Sequence, residues 1–347
     1  MSDVSDVSDV SDVSDAELPN CRISFDNNPF HGKLLAMYRL VGRRDFLTAL
    51  IKGGAALTLS YQALGQQLSG TALTAANITD NFTHITGAGG NILVLSGLDG
   101  LLMVDGTLPE QSAALLQFMG GEFRNQKIQV LFDTDWHLEH TGSNETIRRT
   151  GTKIIAHENT KLWLGADFFC DWQNRAYKPQ PAEALPNETF YTSAKMTFGK
   201  EQIEYGYLGQ AHTDGDIYVF FPRTNILAAG DVVSVGKYPI LDYTTGGWIG
   251  GLVDATKKLL SVADAETRIV PGAGPLQTHA DLQAQYDMLA AVKDRLVKLL
   301  KQGMGSKDMI SAQPTKDFDE KWGNPELFIS NAYRGMWGHV RELGGIV

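Results

Sequence analysis

A chain of 347 residues with 43% hydrophobic and 20% charged residues can bury a full core in one large domain or two small ones. Its formal charge is −10, but Asp3, Asp6, Asp9, Asp12, Asp15 and Glu17 carry six of the negatives, so about −4 remains for the rest. Without a Lys/Arg cluster to neutralise phosphates, nucleic acid is not expected as a partner. Two cysteines, Cys21 and Cys170, cannot build a disulfide framework.

Residues 2–16 read Ser-Asp-Val four times and then Ser-Asp-Ala. One apolar residue and one charge in every three builds neither a helical stripe nor a strand face, so this tail is expected to be disordered. Gly42-Arg43-Arg44-Asp45-Phe46-Leu47 follows, then a modestly apolar run from Thr48 to Leu64 interrupted by Lys52, Gly53 and Gly54. That run is too short and too weak for a stable membrane span. It resembles a twin-arginine export signal, with Ala63-Leu64-Gly65 as a candidate cleavage stretch, and implies a periplasmic or secreted protein. The alternative is an N-terminal amphipathic helix with solvated arginines.

The expected organisation is a tail and signal region over 1–66, a main domain over 67–275, and a helical extension over 276–347 packed on the same domain. In the main domain, Asn91–Leu95 and Leu101–Asp105 flank a Gly-Leu-Asp-Gly turn at 97–100 and read as a hairpin. Gln111–Met119 is apolar at helical spacing. Lys127–Phe132, Lys153–Ala156, Gln202–Tyr207, Ile217–Phe221 and Asn225–Ala229 read as strands, and Leu252–Val262 and Leu282–Lys301 as helices. Residues 163–190, with Trp163, Trp172, Pro179, Pro181 and Pro186, read as a long surface loop. The mixture points to an α/β sandwich.

The segment Phe132-Asp133-Thr134-Asp135-Trp136-His137-Leu138-Glu139-His140-Thr141-Gly142 carries the chemistry. After the preceding strand, alternation puts Asp135, His137 and Glu139 on one side, with His140 at the turn into a helix. Four ligand-type side chains within six residues can surround a metal ion at little cost in chain closure. Imidazole with carboxylate suits zinc, iron or manganese, and the absence of a nearby Cys excludes a thiolate site.

This segment resembles the His-x-His-x-Asp-His motif of the metallo-β-lactamase superfamily, matched as Asp135-x-His137-x-Glu139-His140. Three further stretches resemble the family in order and spacing. They are Gly209-Gln210-Ala211-His212-Thr213-Asp214-Gly215-Asp216, Ala229-Gly230-Asp231, and Pro271-Gly272-Ala273-Gly274 where the family has Pro-Gly-His-Gly. The similarity covers roughly residues 75–275. It implies a four-layer αββα sandwich with metal at one edge, held by Asp135, His137, Glu139, His140, His212 and Asp231.

In family terms, Asp135, His137 and His212 hold one ion. Glu139, His140 and the bridging Asp231 hold another, which lacks a ligand because Ala273 replaces a histidine. A divalent metal is therefore expected, zinc first with manganese or iron as alternatives, in one tight site and a second that is weak or absent. The implied reaction is hydrolysis of a carbonyl-type small molecule (lactone, ester, thioester or β-lactam), with Glu139 and Asp231 as catalytic groups. Two other readings stand beside it: a non-catalytic binding or scaffold protein with a degenerate site, and a redox role with bound iron. Asp214 and Asp216 are read as turn residues. Tyr238, Asp242, Tyr243 and Trp248 could either line a pocket or pack under a loop, and a homodimer is left open.

Overall fold

The computed structural model describes residues 72–344. The Ser-Asp repeats, Arg43-Arg44 and the candidate cleavage stretch lie outside the described residues. In chain order the strands are β1 (Thr74–Asn77), β2 (Phe82–Thr86), β3 (Ile92–Gly97), β4 (Gly100–Val104), β5 (Ile128–Phe132), β6 (Lys153–His157) and β7 (Phe168–Cys170). They continue with β8 (Arg175–Tyr177), β9 (Glu188–Phe190), β10 (Ser193–Phe198), β11 (Glu201–Tyr207), β12 (Ile217–Phe221), β13 (Ile226–Gly230) and β14 (Arg268–Pro271). The helices are α1 (Ser112–Glu122), α2 (Leu138–Thr141), α3 (Asn144–Arg148), α4 (Glu158–Leu164) and α5 (Ile249–Val262). After them come α6 (His279–Lys301), α7 (Ser306–Ser311), α8 (Asp319–Trp322) and α9 (Glu326–Gly338).

Among the described residues, one sheet runs β1-β2-β3-β4-β5-β6-β9 and a second β10-β11-β12-β13-β14, with β7-β8 a small separate ribbon. The apolar runs of the central strands are continuous because both of their faces are covered. Leu93, Leu102, Val130 and Phe132 of the first sheet meet Ile217, Val219, Phe221 and Ala228 of the second in one inter-sheet core. Their neighbours Ile92, Val94, Leu101 and Leu131 turn to the opposite face, under Leu115 and Met119 of α1. Leu227 and Ala229 point outward from the second sheet onto α5, α6 and α9. The layers are therefore helix, sheet, sheet, helix, the αββα sandwich that the resemblance implies. Each fully buried Leu, Ile or Phe stabilises by about 1.5–3 kcal/mol, so the three clusters dominate the folding energy.

The long helix α6 follows from Leu289, Val292, Leu296 and Leu300 at helical spacing, and begins at a capping box of Thr278 and Asp281. The last helix, α9, holds the segment after β13. Asn331 Nδ2 donates to the Leu241 carbonyl at 3.0 Å, Arg334 Nη1 to the Tyr243 hydroxyl at 3.1 Å, and the Trp248 and His339 rings stack 3.9 Å apart just beyond it.

Residues 163–190 differ from the surface loop expected. Cys170 and Tyr177 of the β7–β8 ribbon are buried with Trp136 and Leu164, and β9 pairs parallel to β6 at the sheet edge. The paired aromatic contacts Trp136–Tyr177 and Trp163–Phe168 hold the segment inward. Among the described residues, no helix is long and apolar enough to cross a membrane.

Candidate metal centre

Strand β5 ends at Phe132, and the chain then turns through Asp133–Trp136 into the single turn of α2. The alternation expected for Asp135, His137 and Glu139 therefore does not operate. What positions the segment is a set of buried hydrogen bonds. Asp105, in the left-handed region at φ 64°, accepts from the Thr134 amide at 2.8 Å and from the Thr134 hydroxyl, which fixes the turn at the end of β4. Asp135 Oδ1 accepts the His137 amide at 2.7 Å, which leaves Oδ2 buried and without a hydrogen-bond partner. Gly230 precedes Asp231 at φ 52°, and a Cβ there would lie 2.4 Å from Thr134 Oγ1, so only glycine lets the two sheets' loops approach this closely.

These turns bring all six predicted residues together at one end of the sandwich. Ligand atoms of Asp135, His137 and His212 lie within 4.8 Å of one another, as do those of Asp135, His140 and Asp231, and those of His137, Glu139 and Asp231. Asp231 Oδ1 is 3.6 Å from His140 Nε2 and Oδ2 is 3.7 Å from His212 Nε2, the placement expected of a bridging carboxylate. Ala273 lines the cavity beside His212 and Asp231, together with Ser234, Lys237 and Ile240. The position that is histidine in the family motif thus reaches the centre without a donor.

His212 Nδ1 donates to the Ile240 carbonyl at 2.9 Å, and His137 Nε2 lies 3.2 Å from Asp242 Oδ2, which accepts its proton. The remaining ring nitrogens, His137 Nδ1 and His212 Nε2, face each other at 3.3 Å. In neutral rings these are two lone pairs, so the arrangement requires a cation between them, either a proton or a metal. His140 presents Nδ1 to Asp105 at 3.1 Å and Nε2 to Asp135 and Asp231, the carboxylate–histidine pairing that orients metal ligands. A divalent ion fits this donor set.

Asp242 and Asp105 are the groups that sequence reasoning missed in this role. Asp242 is fully buried and receives the Trp172 indole N–H at 2.9 Å, the Thr245 hydroxyl at 2.8 Å and the Thr244 amide at 3.1 Å, besides His137. Burial opposes its charge, but the hydrogen bond and charge of His137 outweigh it and hold the carboxyl at about 2. The signal available in sequence was one acidic residue set between Leu241 and Tyr243. We expect Asp242→Asn to weaken metal binding about 10–100-fold. Chelator competition measures the loss, and unchanged affinity would remove Asp242 from the centre.

Other polar and aromatic residues of this region have structural places. Asp216 accepts from the Thr213 amide and hydroxyl, Asp214 accepts the Trp163 indole N–H at 2.6 Å, and His157 caps α4. Tyr238 stacks on Phe328 and Trp248 on His339, so both pack under the loop and do not line the cavity. Cys170 is buried, and burial pushes its thiol up to about 11, which makes it a poor nucleophile and ligand.

Burial opposes protonation of His137 and His140, yet Asp242 and Glu139 around the first and Asp105 and Asp135 around the second raise both above the usual histidine range. An incoming cation must displace those protons. Metal affinity is therefore expected to climb as pH rises through and beyond the usual histidine range. Calorimetric titration in buffers of different ionisation enthalpy measures the protons released; a flat profile contradicts the expectation.

The metallo-β-lactamase superfamily model matches residues 85–295, more than half of the chain. The chain belongs to the metallo-β-lactamase superfamily. Within that superfamily it is similar to metallo-beta-lactamase type 2 of Bacillus cereus, 23% identical over 264 residues that cover 74% of this chain and 97% of the relative. Among solved structures it is similar to a metallo-beta-lactamase from Pontibacter korlensis, with a TM-score of 0.52 and 20% identity over 63% of this chain and 99% of that one. The DIM-1 metallo-beta-lactamase gives a TM-score of 0.52 at 18% identity. At these identities the structural likeness speaks for the sandwich fold.

Proposed function

We propose that this superfamily member is a metal-dependent hydrolase acting on a carbonyl-type small molecule such as a lactone, ester, thioester or β-lactam. The observation that carries the reading is the pair of facing nitrogens, His137 Nδ1 and His212 Nε2, 3.3 Å apart with their partner nitrogens already committed. A divalent ion, zinc first with manganese or iron as alternatives, would supply the charge that acidifies water and stabilises a developing oxyanion.

The chain's own groups frame that chemistry. Asp135, His137 and His212 form one donor set, and Asp231 spans from His212 to His140. Glu139, partly exposed with Oε1 3.8 Å from His137 Nδ1, would hold or deprotonate an attacking water. Elemental analysis of protein made without added metal should find about one or two ions per chain, and a panel of nitrocefin, lactones and thioesters should identify turnover. Trace metal and no hydrolysis would overturn the proposal in favour of the scaffold reading, which the alanine at position 273 favours. We also propose export through the paired arginines Arg43 and Arg44, which suits a protein that loads metal before leaving the cytoplasm.

A further inference from the structure

In the Asp135-x-His137-x-Glu139-His140 segment, Asp135 meets the donors of both family cation positions and not those of the first alone. The family pattern assigns Asp135 to the first cation position and Glu139 to the second, beside His140 and Asp231. In the structure, His140 Nε2 has two carboxylate neighbours, Asp135 Oδ2 at 3.7 Å and Asp231 Oδ1 at 3.6 Å. The three donors lie within 4.8 Å of one another. Both Asp135 Oδ2 and His140 Nε2 are buried and lack a hydrogen-bond partner, so the pocket between them is polar and unsatisfied.

Glu139 gathers instead with His137 and Asp231, and its side chain is 38% exposed, against 1% for Asp135. The backbone explains the difference. Glu139 and His140 are successive residues of α2, and successive helical residues point about 100° apart, so an inward His140 turns Glu139 toward the mouth. Asp135 precedes the helix, and its Oδ1 is tied to the His137 amide, which aims Oδ2 inward.

Building on the metal-dependent reading above, we infer that Asp135 has taken over the second position's carboxylate. It does so together with His140 and Asp231, and Glu139 is released to the mouth as a proton acceptor that no cation needs for binding. Asp135 also belongs to the set with His137 and His212, so it joins the two positions as a second bridge beside Asp231. The pocket of two carboxylates and one imidazole is then complete without a donor at Ala273, and its oxygen content suits manganese or iron(II) as well as zinc.

The test is metal stoichiometry after dialysis against saturating Mn²⁺ or Zn²⁺, with electron paramagnetic resonance of the Mn²⁺ form to detect two spin-coupled ions and circular dichroism to confirm folding. The full chain should take up two ions. Glu139→Gln should keep two coupled ions while turnover falls about 10²–10⁴-fold. Asp135→Asn should lose the coupling and at least one ion. A Glu139→Gln protein that drops to one ion overturns the inference, as does a full chain that saturates at one; either leaves the metal-dependent reading standing. Only a full chain that binds no ion brings down both.

Discussion

Replacing His212 with alanine should empty the first cation position and lower turnover by at least about 10²-fold. Loss of the ion removes several kcal/mol of charge stabilisation from the transition state, and each 1.36 kcal/mol is a factor of ten. His212 is fully buried, with one nitrogen on the Ile240 carbonyl and the other facing His137. The substitution also strands that carbonyl, at about 1–3 kcal/mol in stability. Melting temperature with and without chelator separates the two effects. The parent protein should lose stability when the chelator is added, and the variant should not respond. A His212→Ala protein that holds its metal and keeps its rate would refute the placement of the centre.

Trp136→Ala should destabilise the fold by about 3–5 kcal/mol. The side chain is 1% exposed, and its ring makes edge contacts with His137, Phe168 and Tyr177. Its indole N–H also donates to Thr245 Oγ1 at 3.0 Å, and that hydroxyl in turn donates to Asp242. Trp136→Phe keeps part of the ring area while losing the donor, so a smaller cost is expected. Urea unfolding of both variants gives the ranking. Equal costs would show that the hydrogen bond matters more than the packing.

Much of the sandwich could be read from the chain because its strands announce themselves locally. Ile92–Leu95 and Leu101–Val104 are apolar on both faces, Ile128–Phe132 is so except at Gln129, and α6 shows a clear helical stripe. The layering came from the resemblance, and the structure bears it out. The segment over 163–190 escaped because its order comes from elsewhere in the chain. The strand Glu188-Thr189-Phe190 has no period of its own and exists through pairing with β6. Trp172 is fixed by an aspartate 70 positions away. The centre followed the same division. Its ligand-type residues were visible as a cluster, but Asp242 is 105 positions from His137, and no spacing rule links them. The shared face expected for Asp135, His137 and Glu139 failed because a strand was extended through a turn.

The grip of α9 on the loop after β13 gives the far end of the chain a hold over the centre. A Cβ at Gly335 would lie 2.9 Å from the Gly247 carbonyl, and one at Gly247 only 2.0 Å from that of His212, so backbone rests on backbone from the last helix to a ligand-type residue. Asn331 meanwhile anchors Leu241, the neighbour of the aspartate that orients His137. Trimming the polypeptide before Glu326 would thus loosen both imidazoles at once, although no residue removed comes from the cluster itself. Fusion tags and shortened expression versions at that terminus would act as unintended tuning of cation affinity.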